Sequence, residues 1–181
     1  MKRLAVIFAF LFLGASLSGN ACLADSANDH FNNGFAKHQT GDLKTAIKHY
    51  SNAIEDNPGF VMAYQMRAAA WQRMRQFSKA INDYSMVISL GEPYFQAVGY
   101  LNRGIVKNMA GDYFGAIPDF SQAILLDRRL ASAYFHRGIA KSKTGDVFGK
   151  YEDFRQAARL GDFDAEKWLD QNYPSWRQFK S

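Results

Sequence analysis

The chain has 181 residues, 48% of them apolar and 15% aromatic, enough for one domain of ordinary size with a continuous core. Its 22 basic and 17 acidic residues leave a net charge of +5, and the basic side chains are spread along the chain. That excludes the concentrated stripe that grips nucleic acid, and the single cysteine excludes an intramolecular disulfide.

Lys2 and Arg3 precede an apolar run from Leu4 to Ala15, broken only by Gly14, and small residues follow to Ala24. This pattern predicts a cleaved export signal over 1–24, cut between Ala24 and Asp25. Cys22 and Ala24 then fill the narrow pockets of a signal peptidase. The run falls short of the roughly 20 residues of a membrane-spanning helix. Removing Lys2 and Arg3, with no acid, takes the net charge from +5 to +3. Cys22 offers a second reading, lipid attachment, although Gly19 stands where such signals usually have Leu. Membrane contact is expected only by that route.

From residue 27 the sequence repeats itself. Ala27–Phe60, Val61–Gln96, Ala97–Leu130 and Ala131–Asp164 superimpose, three at 34 residues and the second at 36. Small residues align at Gly34, Ala68, Gly104 and Gly138. Turns align at Gly41-Asp42, Arg75-Gln76, Gly111-Asp112 and Gly145-Asp146. Ala46, Ala80 and Ala116 follow, then an aromatic at Tyr50, Tyr84, Phe120 and Phe154. Such a unit is a helical hairpin. The small residue lets the second helix approach, the turn glycine accepts a left-handed backbone, and Asp caps the second helix. One hairpin cannot bury its apolar face alone, so the units stack.

The pattern resembles the tetratricopeptide repeat, over residues 27–164. The resemblance implies an all-α fold: a right-handed superhelical solenoid of four helix-turn-helix repeats. A capping helix is expected at 165–172, with Ala165, Trp168 and Leu169 on one face, and a basic aromatic tail at 173–181. Four departures stand out. Arg75-Gln76 lacks the turn glycine, and Lys150 replaces the small residue of the last second helix. Pro118 either bends its helix or lies near enough the start to be tolerated. The two extra residues of repeat two fall in Ser89–Pro93 and predict a lengthened connection, with Pro93 opening the next helix.

No catalytic constellation emerges. The mature chain would have no cysteine, and His30, His38, His49 and His136 do not share ligand spacing with acids. Glycines fall at the repeat turns instead of in a phosphate loop. Glu152 and Asp153 are expected on the solvent side of their helix. The reading is of a non-enzymatic chain without metal or cofactor.

In this family the first helices line a concave face that binds peptides or partner helices. By alignment the groove residues are Phe31, Phe35, Gln65, Met66, Leu101, Asn102, Ile105, Phe135, His136 and Ile139. The lysines, arginines and asparagines of a carboxylate clamp are replaced by Phe31, Phe35, Met66 and Val98, with only Asn102 matching, so a clamp for an acidic chain end is disfavoured. The expected role is a scaffold of a bacterial periplasm that holds a protein or peptide partner in a mainly apolar trough. The absence of a disulfide and of a glycosylation sequon favours bacterial origin. The alternative is self-assembly, with Tyr173, Trp176 and Phe179 of the tail entering a neighbour's groove or folding back on their own chain.

Overall fold

A computed structural model describes residues 25–179; the export signal and Cys22 lie outside them. The described residues are helical throughout. Helix α1 covers 25–39, and α2 (Leu43–Asp56), α3 (Val61–Arg73), α4 (Phe77–Leu90) and α5 (Pro93–Ala110) follow. Then come α6 (Tyr113–Leu126), α7 (Ala131–Lys143), α8 (Val147–Arg159), α9 (Phe163–Asn172) and a 3₁₀ turn at Pro174–Phe179. Each helix packs chiefly on its neighbours in sequence. The first helices of successive repeats also touch, α3 with α5 and α5 with α7, while the second helices approach each other less. First helices therefore line the inner face of the curve and second helices the outer.

The local chemistry explains the hairpins. Gly41, Gly111 and Gly145 take φ of 83°, 85° and 87°, the left-handed conformation that ends a helix. Asp42, Asp112 and Asp146 then accept from the N–H of Thr45, Gly115 and Gly149. Repeat two keeps the same turn with Arg75 at φ 57°, and Gln76 makes no side-chain cap. At Gly104 and Gly138 a Cβ would come within 2.7 Å of the Phe120 and Phe154 rings, so a larger residue there would force these rings to shift.

One connection differs from expectation, and two departures from the repeat pattern are accommodated. The insertion does not lengthen a connection: Gly91 and Glu92 alone join α4 to α5, and the extra residues form an added turn at the start of α5, led by Pro93. A proline at the first helical position has no hydrogen bond to lose. Helix α6 continues through the exposed Pro118 to Leu126. Lys150 is half-buried, its ammonium 4.9 Å from the Trp168 ring of α9, so the cap supplies the partner that the missing alanine contact does not.

Asp153 is the larger correction. It is buried, as are Asp83 and Asp119. Each holds an arginine of the same repeat in a two-pronged pair: Arg67 on Asp83 at 2.8 and 2.8 Å, Arg103 on Asp119 at 3.0 and 2.7 Å, Arg137 on Asp153 at 2.9 and 2.7 Å. The third donor of each guanidinium reaches back to a serine of the preceding repeat: Ser51 at 2.9 Å, Ser85 at 2.9 Å and Ser121 at 3.0 Å. Tyr64, Tyr100 and Tyr134 lie against the guanidinium groups at 5.5–5.6 Å. Lys107 and Lys141 add second cations to Asp119 and Asp153 at 2.8 and 2.9 Å. Repeat one has Asn33 and His49 at the corresponding places. The hydrogen bonds to Asp119 raise the Arg103 pKa against the burial that lowers it.

Removing one member of a buried pair strands the other. Asp119→Asn, which leaves Arg103 and Lys107 without their counter-charge, should cost about 3–5 kcal/mol in urea unfolding. The triple variant Arg103→Met/Lys107→Met/Asp119→Leu, which leaves no charge behind, should recover most of that loss.

Candidate binding groove

Helices α1, α3, α5 and α7 present their inner residues side by side. None of the groove residues taken from the alignment carries a formal charge at neutral pH. The structure divides them by environment. Phe35 is 42% exposed and projects freely. Gln65, Met66 and Asn102 are half-buried. Phe31 is held between Tyr50 and Phe60, at centroid distances of 5.8 and 5.1 Å. Leu101 and Ile105 lean on the Ala116–Phe120–Ala140 cluster. Phe135 stacks on Phe154 at 5.4 Å, and it and Ile139 pack against the last core cluster. Phe135 and Ile139 thus join groove to core.

His136 stacks almost parallel to Phe120 at 5.9 Å, and burial holds its pKa below the ordinary value of 6.5, against a weaker opposing pull from Asp162. His38 is shifted in the same direction, by burial and then by Arg73. A polar row runs along the floor. Tyr50 Oη meets His38 Nδ1 at 3.4 Å, and Tyr84 Oη donates to Gln72 Oε1 at 3.3 Å. In repeat three the ring is Phe120, which has no hydroxyl. Asn108 Nδ2 donates forward to the His136 carbonyl at 3.2 Å, and Asn108 Oδ1 stays buried with no partner.

The alignment did not select Met109, which is 44% exposed and accepts a 3.4 Å contact from Gln72 Nε2 across repeats. Its signal was its place one residue after Asn108, where the other repeats have Gln39, Arg73 and Lys143. Nor did the sequence show a pocket of about 350 Å³ beside Val98, walled by Pro93, Tyr94, Ala97, Leu126, Asp127 and Leu130. The added turn of α5 builds one side of it. Among the described residues no group of three or more His, Cys, Asp or Glu is placed to hold a metal ion. No described helix is long and apolar enough to cross a membrane.

Comparison with solved structures identifies the architecture. The chain superimposes on a crystal structure of MamA with a TM-score of 0.70 at 20% identity, over 77% of this chain and 81% of that one. It superimposes on YrrB, described as a TPR protein with an unusual peptide-binding site, with a TM-score of 0.62 at 14% identity, over 80% and 78%. The chain folds as a tetratricopeptide-repeat solenoid. Among curated proteins, this solenoid is 31% identical over 102 residues to serine/threonine-protein phosphatase 5 of Mus musculus, covering 56% of this chain and 19% of that protein. It is 33% identical over 95 residues to Hsp70-Hsp90 organizing protein 3 of Arabidopsis thaliana, covering 52% and 16%. The matches therefore span under a fifth of the length of these relatives. No family model matches the chain.

Two outcomes follow from this geometry. Phe120→Tyr should place a hydroxyl against the orphaned Asn108 Oδ1 and raise stability by about 1 kcal/mol in denaturant unfolding. Because folded His136 resists protonation more than the unfolded chain does, acid favours unfolding. Stability should fall as pH drops below about 6.5. His136→Gln should flatten that slope in melting temperatures measured from pH 7.5 to 5.

Proposed function

We propose that this solenoid is a non-enzymatic interaction scaffold that holds an uncharged, partly apolar segment of a protein partner in its concave face. The observation that carries this reading is the inner surface itself. It offers Phe35 and the Met109 side chain to solvent, edged by half-buried amides, with no charge at the ten aligned groove positions and with Arg73 and Lys143 beside them where repeats two and four correspond to Met109. Apolar side chains of a partner would bury against Phe35, Met66, Leu101 and Ile105, while Gln65, Asn102 and His136 orient its backbone. The pocket beside Val98 would take a bulky apolar side chain of the same segment. Support comes from the names of similar proteins, one an organizer of Hsp70 and Hsp90 and one with a peptide-binding site. The phosphatase activity of the mouse relative is not carried over, because the match covers 19% of that protein.

The setting we propose is a bacterial periplasm, reached by removal of residues 1–24; a mature N-terminus at unmodified Asp25 would set aside lipidation at Cys22. The alternative of assembly through the tail loses its main anchor. Trp176 is 3% exposed, donates from Nε1 to Asp170 at 2.8 Å and packs with Phe154, Ala157 and Leu169 of its own chain. Arg177 fastens the same turn to Asp170 and Glu166.

A groove with an uncharged floor makes a definite forecast. Partner binding measured by calorimetry should change less than about twofold between 0.05 and 0.5 M salt, where an ionic clamp would weaken severalfold. Phe35→Ala should weaken binding about tenfold and leave the melting temperature nearly unchanged. Strong salt dependence, or a Phe35→Ala protein that binds normally, would refute the groove.

A further inference from the structure

The second helices form the outer face of the curve, and the same repeat positions of each turn towards solvent. On α2 these positions hold Lys44, Lys48 and Glu55, and on α8 they include Glu152 and Arg159. On α6 they hold Phe114, Pro118, Gln122 and Leu125, all exposed and none charged. The one acid of α6, Asp119, points inward to Arg103 and Lys107. Phe114 is 77% exposed and Leu125 64%, and Val147 (60%) and Phe148 (76%) add exposed apolar surface at the start of α8. A helix that is apolar both inward and outward has two faces to bury.

We propose that the outer face of α6 joins two copies of this chain, packed α6 against α6 in antiparallel fashion about a two-fold axis. Area and symmetry both point to that occupant. At ordinary side-chain areas the patch offers roughly 500 Å² of apolar surface, more than an isolated surface residue explains and near the upper range for a monomer. With its polar margin it approaches the roughly 800 Å² per partner of a stable interface.

The stripe also matches itself when reversed. Phe114 and Leu125 lie equally far from the middle of α6, so antiparallel pairing sets each Phe114 against the Leu125 of the other copy. Pro118 then lies beside the second Gln122, near the axis. Two outward-curving surfaces meet along α6 and the adjoining start of α8, so the apolar contact belongs at the centre and polar groups at the margin. This face lies opposite the concave one, so the proposal is independent of what the groove holds.

Sedimentation of the whole chain over a wide concentration range should show a reversible monomer–dimer equilibrium. Leu125→Glu should weaken it at least tenfold without lowering the melting temperature, since Leu125 is mostly solvent-exposed within one copy. Disulfide trapping reads the register. In a Cys22→Ser background, F114C protein mixed with L125C protein should form a covalent dimer, while neither forms one alone. A chain that stays monomeric throughout, a dimer indifferent to Leu125→Glu, or F114C bonded to itself would each overturn the proposal.

Discussion

The guanidinium groups of Arg67, Arg103 and Arg137 hold this stack in register. Each spends two donors on an aspartate of its own hairpin and one on a serine of the hairpin before it. Apolar burial between helices is tolerant of sliding; a planar fork with fixed donors is not. The tyrosine beneath each guanidinium limits the remaining freedom, and the aspartate is buried deeply enough that misalignment would leave a charge without a partner. Stacking supplies the cohesion and the repeated ion pair supplies the alignment.

That division leaves the two surfaces free for other duties. The ion pairs occupy the seams between hairpins, so the inner row needs no charge for structural reasons and has none at the aligned positions. The polar floor of Tyr50 with His38 and Tyr84 with Gln72 is built from neutral groups. At the far end, Trp168, Tyr173 and Trp176 close the core over Phe154, and Arg177 ties the closing segment down.

Much of the architecture could be read from the chain because its signals are local. A glycine before an aspartate at the turn of three of the four repeats states a turn and a cap, and Gly104 or Gly138 opposite an aromatic states a close crossing. The arginine–aspartate pairs were equally regular, sixteen residues apart in three repeats, yet amphipathic reasoning sends charge to solvent and so placed Asp153 outside. Constant spacing was the available clue. Pro93 could be read as the start of α5, but the short connection was obscured because Ser89 and Leu90 read as loop residues until they are seen to end α4. The first helices could be read as a row of positions, but which of those positions turn to solvent and which to the core could not. Whether Phe135 faces a ligand or Phe154 depends on how far neighbouring helices splay, which a single sequence does not encode.

The substitution of Asn33 and His49 for the arginine and aspartate gives the array a direction. The first hairpin receives a bond from Arg67 through Ser51 but has no such fork of its own. Fraying should therefore begin at that end and stop where the pairs begin, as a zipper opens from its unlocked tooth. A ligand that spans the curve would meet a firm wall on one side and a yielding one on the other.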